Sequence, residues 1–120
     1  MIRNYLPSDE HCLLELWNTA GLQLGFAPLK QEDFRRLLTG HPNFSPEYTF
    51  VLEEAGRVLG FVNGCTGADI PKGDVRGYVS CLILAPEADN DENTARLLEA
   101  LEDAFRRAGR HYSAVTFFNP

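Results

Sequence analysis

The stretch LILAPEADNDENTARLLEALEDAF, residues 82–105, decides the fold of this chain. It begins as an apolar strand pattern, passes through a short loop and continues as a helix with one apolar stripe. Junctions of this kind often hold a phosphate, because the first N–H groups of a helix have no partners within the helix. Here the loop carries carboxylates instead of glycines, those of Glu87, Asp89, Asp91 and Glu92. The strand–loop–helix pattern therefore fits a phosphate site, whereas the negative charge of the loop does not.

The residues around this loop predict a central strand, a helix and a last strand. RGYVSCLILAP, residues 76–86, is apolar on nearly every residue near its end, which is typical of a strand covered on both faces. The helix after the loop is expected to stop at Gly109. Its apolar stripe consists of Leu97, Leu98, Leu101, Ala104 and Phe105. YSAVTFF, residues 112–118, gives the last strand.

The first forty residues predict a strand and two helices. MIRNYL, residues 1–6, is a short strand pattern, and the next helix is expected to begin with Ser8 as its N-cap and to stop at Gly21. Its apolar residues at helical spacing are Leu13, Leu16, Trp17 and Ala20. KQEDFRRLLTG, residues 30–40, predicts a second short helix. Phe34, Leu37 and Leu38 are expected on its buried side.

From residue 49 the pattern changes to that of strands. TFVLEEAGRVLGFVNGCTG, residues 49–67, predicts a hairpin that turns at EEAG. The complete order is β-α-α-β-β-β-α-β, without an internal repeat or a linker. That order predicts a single α+β domain over residues 1–120, built on a mostly antiparallel sheet.

Composition limits the classes of function. The chain has 120 residues, of which 44% are hydrophobic, and this is enough for one packed core. Its net charge of −6 argues against a general affinity for nucleic acid or an anionic membrane surface. The N-terminus has no apolar signal region, and no segment approaches the ~20 apolar residues of a membrane span. We therefore expect a cytoplasmic protein whose partners are neither nucleic acid nor membrane.

Neither the cysteines nor the acidic loop matches a metal-binding pattern. Cys12, Cys65 and Cys81 are odd in number, far apart and without a C-x-x-C pair, so we expect reduced and at least partly buried thiols. The spacing of the acids in residues 87–92 does not match the twelve-residue calcium loop. No metal site is predicted.

Four stretches together resemble the GNAT superfamily of acyl-CoA-dependent N-acetyltransferases. They are MIRNYLPSDEHCLLELWN (1–18), FVLEEAGRVLGFVNG (50–64), YVSCLILAPE (78–87) and LLEALEDAFRRAGRHYSAVTFF (97–118). Each is a weak pattern alone, and their order and spacing carry the likeness. The resemblance implies a GNAT-like fold, acetyl-CoA as the cofactor and a small-molecule amine as the acetyl acceptor.

In that family, the loop after the fourth strand reads Arg or Gln, two residues, Gly, one residue, then Gly or Ala. Its backbone N–H groups hold the CoA pyrophosphate. In this chain the motif falls on Asp89, Asn90, Asp91, Glu92, Asn93 and Thr94. The resemblance thus implies a cofactor loop formed by residues 90–94. It also implies that backbone groups of Leu82 and Leu84 orient the acyl-pantetheine arm.

The chemistry of this loop departs from the family. Asp89 stands in place of Arg or Gln, while Glu92 and Thr94 stand in place of small residues. Each carboxylate close to a pyrophosphate opposes it by ~1 kcal/mol even in water, and large side chains block the close approach that glycine allows. The same acids stabilise a helix N-terminus. We interpret the loop as a degenerate cofactor loop, a capped helix start with lost or altered acetyl-CoA binding.

The C-terminus departs from the family as well. GNAT proteins usually continue into a fourth helix, which often carries a Tyr that protonates the departing CoA thiolate, and then into two further strands. This sequence ends at FFNP, residues 117–120. We expect either a natural truncation or the N-terminal part of a longer protein, such as a tandem GNAT protein with one degenerate domain.

No residue is assigned a catalytic role from sequence. The implied mechanism needs a general base near the fourth strand, and YVSCLILA in that strand holds no Asp, Glu or His. Its hydroxyls are those of Tyr78 and Ser80. Cys81 is interpreted as a core residue, His11 as solvent-facing and His111 as part of a basic helix end.

Three functions remain open. One is a GNAT acyltransferase that acts on an unidentified amine. Another is a catalytically inactive GNAT-like domain that serves as an interaction or scaffolding module, with a second copy or a second GNAT domain as its partner. The third is a sensor that binds a ligand other than CoA between the fourth and fifth strands.

Overall fold

One five-stranded sheet organises the structure, a computed structural model that describes residues 1–42, 44–66, 76–109 and 111–115. Its strands lie side by side in chain order: β1 (Ile2–Asn4), β2 (Thr49–Glu54), β3 (Arg57–Thr66), β4 (Arg76–Leu84) and β5 (His111–Val115). Neighbours from β1 to β4 are antiparallel, and β5 runs parallel to β4. The predicted α+β class and the mostly antiparallel sheet are confirmed. Of the last predicted strand, residues 116–118 lie outside the described part of the chain.

Helices cover both faces of the sheet. They are α1 (Glu10–Trp17), α2 (Ala20–Gln23), α3 (Gln31–Phe34), which continues as a π-helical segment Arg35–Thr39, and α4 (Asp91–Arg107). Short 3₁₀ turns precede α1, β2 and α4 at Pro7–Asp9, Pro46–Tyr48 and Pro86–Ala88. Within the described ranges, no helix has the length and apolar character needed to cross a bilayer.

The first predicted helix differs from the structure at both ends. Ser8 is exposed and is not the N-cap. The backbone N–H of Leu6 instead donates to Asp9 Oδ2 at 2.8 Å, and a 3₁₀ turn leads into α1. Gly21 does not stop the helix but lies within α2. A Cβ there would come within 3.2 Å of the Phe26 ring, so this glycine permits close packing rather than a turn.

The two sheet faces carry separate apolar clusters. Helices α1 to α3 cover one face with Leu13, Leu16, Trp17, Phe34 and Leu38. Helix α4 covers the other with Leu97, Leu101, Ala104 and Phe105. Leu98 is half-buried, and Leu37 is 39% exposed rather than part of the core. The π-helical segment explains Leu37, because its i→i+5 bonding does not follow the 3.6-residue spacing on which the prediction relied.

A β-bulge interrupts β4 at its centre. Asn63 of β3 pairs with Cys81, and the next residue, Gly64, pairs with Val79, so Ser80 is an extra residue in β4. Strand β5 pairs with the first half of β4 only, from Arg76↔His111 to Val79↔Val115 in the described residues. Beyond the bulge, β4 therefore continues past the described end of β5.

Candidate functional site

A cleft of about 270 Å³ opens between α2 and the C-terminal end of β4. Helix α2 forms one wall, and the C-terminal end of β4 with the following turn forms the other. The lining residues are Ala20, Gln23, Leu24, Leu82, Leu84, Pro86 and Asp89. Apolar and polar atoms share this surface about equally, with Gln23 and Asp89 bringing polar side chains to it. Such a lining suits a slender ligand with both apolar and polar parts.

The segment after α2 is tied back to the end of α1 by hydrogen bonds. The side chain of Asn18 accepts from the N–H of Leu29 and donates to its carbonyl, both at 2.8 Å. The indole Nε1 of Trp17 donates to the carbonyl of Ala27 at 2.8 Å. These contacts fix the chain reversal at residues 24–29 and therefore the outer wall of the cleft.

The first turn of α4 lies next to Asp89, and side chains at this helix start cap it with hydrogen bonds. The side chain of Asn90, the N-cap, accepts from the N–H of Asn93 at 2.8 Å. The Asn93 side chain in turn donates to the carbonyl of Ala88 at 2.9 Å. The N–H groups of Asp91 and Glu92, at the first two helical positions, have no acceptor within the helix.

The seven residues predicted to hold a cofactor fall in two adjoining places. Leu82 and Leu84 line the cleft. Residues 90–94 form the N-cap and first turn of α4, and they are not among the described residues that line it. Asp89 connects the two, because it lines the cleft and directly precedes the cap. The role of these residues in binding a cofactor stays a prediction.

Acidic charge dominates the helix end of the cleft. Asp89, Asp91 and Glu92 are all exposed. Nearby cations already face carboxylates, since Arg57 lies 3.8 Å from Glu87 and Arg96 lies 3.6 Å from Glu54. An anionic ligand at this turn would therefore meet carboxylates first.

A buried polar chain, not predicted from the sequence, crosses the sheet at the bulge. Asn63, which is 4% exposed, accepts from Thr49 Oγ1 at 2.8 Å through its side-chain oxygen, and its Nδ2 donates to Ser80 Oγ. Ser80 Oγ also donates to the backbone oxygen of Asn63 at 3.0 Å. An asparagine inside a strand pattern is unusual, because the residue type is depleted in strands. The position of Asn63 inside a strand pattern was therefore the sequence signal that could have indicated this polar chain.

Comparison with known proteins identifies the architecture. No family model matches the sequence, and no curated protein matches it significantly. Among solved structures, a GCN5-related N-acetyltransferase from Sphaerobacter thermophilus superposes with a TM-score of 0.75 at 19% identity, covering 92% of this chain. The chain has the fold of the GNAT acetyltransferases.

Other structures with the GNAT fold match comparably. N-acetylglutamate synthase from Neisseria gonorrhoeae, complexed with coenzyme A and N-acetyl-glutamate, gives a TM-score of 0.69 at 22% identity over 92% of this chain. A GNAT family acetyltransferase from Staphylococcus aureus gives 0.69 at 18% identity over 100% of this chain and 86% of its own. The chain spans only 23% of the Neisseria protein and 33% of the Sphaerobacter protein.

Seen on the GNAT fold, the two parts of the site suit an acyl-CoA unequally. The cleft has room for a slender ligand, and its lining offers both apolar and polar surface. The first turn of α4 does not suit a pyrophosphate. The Asn93 N–H is already occupied by Asn90, and the exposed side chains of Asp91 and Glu92 carry the same sign of charge as the ligand.

The other residues with reactive side chains, chiefly the cysteines, lie in surroundings that are typical of structural residues. Cys81 is fully buried, and burial raises the pKa of its thiol to about 12. Burial also raises the pKa of Cys65, and Cys12 is half-buried. His11 is exposed, as predicted. The predictions for the side chains of Tyr78 and His111 lie outside the described residues.

A partly buried cluster of charged residues, also missed by the sequence analysis, anchors the start of α1. The Arg3 guanidinium donates to both carboxylate oxygens of Asp9, at 2.8 and 2.9 Å, and to Glu53 at 3.0 Å. These bonds hold the pKa of Asp9 below its usual value. In the part of the chain that the structure describes, no group of three or more His, Cys, Asp or Glu side chains could hold a metal ion.

Proposed function

We propose that this chain is an acyltransferase domain that takes an acetyl group from an acetyl-CoA-type thioester and passes it to a small amine. The observation that carries the proposal is the cleft at the end of β4, beside the bulge and within a GNAT fold. Support comes from the Neisseria synthase of the same fold, which was solved with coenzyme A and an N-acetylated amino acid.

The chemistry asks little of the protein beyond placement. The bound thioester supplies an activated acetyl group, and attack by an amine nitrogen forms the amide bond while the thiol leaves. Backbone groups at Leu82 and Leu84 would hold the arm along the edge of β4. The apolar walls formed by Ala20, Leu24 and Leu84 would exclude water and limit hydrolysis of the thioester.

An alternative proposal is an inactive domain that serves as an interaction module, alone or beside a second GNAT domain. The observation that favours it is the acidic first turn of α4, which opposes the diphosphate of CoA. Under this alternative, the purified protein binds no thioester, and its function lies in what covers its surface.

Calorimetric titration with acetyl-CoA and with CoA separates the two proposals. Micromolar binding, followed by thiol release with a panel of small amines, would support the acyltransferase. The test variant is Gln23→Trp, which fills the cleft from an exposed position, and the matched control is Leu22→Trp on an exposed position of α2 outside the lining. We expect the first to abolish binding and the second to preserve it. Absence of binding to any thioester would favour the interaction module.

A further inference from the structure

The two parts of the site call for different parts of an acyl donor. The cleft side combines the apolar side chains of Leu24, Leu82 and Leu84 with polar surface, and it lies along the C-terminal end of β4. The helix side offers carboxylates where a nucleotide diphosphate would have to lie. A donor that binds here must satisfy the first without needing the second.

The N–H groups at the helix side give little compensation for this repulsion. Of the groups that a phosphate could use, Asn93 N–H is taken by the Asn90 side chain, and Thr94 N–H donates to the Asn90 carbonyl at 3.1 Å. The remaining two belong to Asp91 and Glu92, whose own carboxylates accompany them. The helix dipole that attracts anions is thus already offset by acidic side chains.

The neighbouring arginines do not reverse the balance. Arg96 Nη1 lies 3.2 Å from Asn93 Oδ1 and 3.6 Å from a Glu54 oxygen. Arg57 faces Glu87. A unit charge about 4 Å from a like charge in water loses roughly fivefold in affinity, so two carboxylates cost a phosphate roughly twentyfold or more.

We infer that the cleft takes its acyl group from a pantetheine thioester whose nucleotide part is absent or is not held by the protein. This inference, which rests on the acyltransferase function proposed above, names the donor class of the same site. The arm lies against Leu82, Leu84 and Leu24, and the first turn of α4 discriminates against the 3′-phosphoadenosine diphosphate of CoA rather than binding it.

The test compares acetyl-pantetheine with acetyl-CoA by calorimetry on the full chain, at low and high salt. We expect acetyl-pantetheine to bind at least as tightly as acetyl-CoA and to be insensitive to salt. Acetyl-CoA should bind more tightly as salt rises from about 0.05 to 0.5 M, because salt screens repulsion. A site that holds the diphosphate by attraction would show the opposite salt dependence.

A charge variant locates the effect. Asp91→Asn together with Glu92→Gln should raise the affinity for acetyl-CoA roughly twentyfold at low salt, whereas the affinity for acetyl-pantetheine should change less than about twofold, because that ligand carries no phosphate. The control is Glu15→Gln with Glu32→Gln, two exposed acids outside the cleft lining. It makes the same change in net charge and should leave both affinities unaltered.

The outcomes separate the two proposals. If acetyl-CoA binds far more tightly than acetyl-pantetheine and weakens with salt, the inference about the donor is overturned while the acyltransferase proposal stands. If neither thioester binds, the acyltransferase proposal fails, and the donor inference falls with it. Equal or tighter binding of acetyl-pantetheine, with the expected salt response, supports both.

Discussion

Replacing Asn63 with leucine tests the polar chain behind the β4 bulge. Leucine has the same number and branching of side-chain heavy atoms, with bulkier methyl groups, so the change removes hydrogen bonds without opening a cavity. The hydroxyls on either side keep other acceptors. Thr49 Oγ1 lies 2.9 Å from the Ser45 carbonyl, and Ser80 Oγ lies 3.0 Å from the backbone oxygen of residue 63, which the substitution retains.

The expected loss of stability follows from these contacts. Two side-chain hydrogen bonds contribute about 0.5–1.5 kcal/mol each, so Asn63→Leu should lower the free energy of unfolding by about 1–3 kcal/mol. If the hydroxyls of Thr49 and Ser80 did not bond to these backbone oxygens, each would be left without a hydrogen-bond partner. That would add a further cost of about 1–3 kcal/mol for each hydroxyl. The size of the effect thus reports whether the two hydroxyls switch to their backbone acceptors.

Urea unfolding followed by tryptophan fluorescence measures this change. The chain has a single Trp, Trp17, which is 3% exposed and stacks on Phe26. The control is Asn4→Leu, at an exposed asparagine of β1 whose side chain donates to the carbonyls of Pro46 and Glu47; it should cost no more than about 1 kcal/mol, because these exposed carbonyls can bond to water instead. Hydrogen exchange of the amides at residues 80–82 should be faster in Asn63→Leu. An unfolding free energy like that of the control, with unchanged exchange, would refute the reasoning.

Three further predictions concern stability. Because Arg3 lowers the pKa of Asp9, this carboxylate stabilises the fold above about pH 4, and the stabilisation is lost as pH falls through the lowered pKa. The substitution Asp9→Asn should therefore flatten the dependence of the free energy of unfolding in urea on pH between about pH 5 and pH 2. Asn90→Ala removes the cap on Asn93 and should cost about 1 kcal/mol in urea unfolding. Gly64→Ala places a Cβ 2.6 Å from Leu101 Cδ1 and should cost about 1–3 kcal/mol by the same assay.

Each of these has its own control. Asp9→Asn should be less stable than wild type mainly above about pH 4, with the two stability curves converging at low pH, and parallel curves would contradict the Arg3 pairing. Asn90→Ser keeps a capping oxygen and should retain most of the stability. Leu101→Ala in the Gly64→Ala background removes the clash with Leu101 and leaves that with Phe105 Cζ at 2.9 Å, so the double variant should lose less than the sum of the single losses, and additive losses would contradict the contact with Leu101.

The fold was largely predictable from sequence, because it depends on patterns that repeat along each element. The hairpin around Ala55 and Gly56 is confirmed, and both residues have positive φ in the turn. The central strand and α4 are confirmed as well, and the capping of α4 by Asn90 follows from residue type. Element ends were less predictable. Gly21 was read as a stop from its residue type, whereas its position against Phe26 depends on tertiary packing.

The site was predictable only in part, for a related reason. The stretch around residues 82–94 marked its location, since strand, loop and helix are consecutive in sequence. The polar chain was not predictable, because Thr49, Asn63 and Ser80 lie on three strands and meet only through the register set by the bulge. Arg3 and Asp9 likewise become a pair only when a 3₁₀ turn replaces the expected helix start.

The cleft and the first turn of α4 depend on different properties of the chain. Likeness of fold therefore does not by itself predict which ligand binds. The cleft lies between α2 and the end of β4, so its position follows from the arrangement of these elements. Anion binding at the first turn of α4 would depend on the identity of a few residues, and we propose that Asp89, Asp91 and Glu92 oppose it. Likeness of fold at about a fifth of identical residues therefore supports the cleft and does not extend to the phosphate. If the chain is an acyltransferase, as we propose, its choice of acyl donor depends on that turn, and comparison of donors with and without a nucleotide tests this directly.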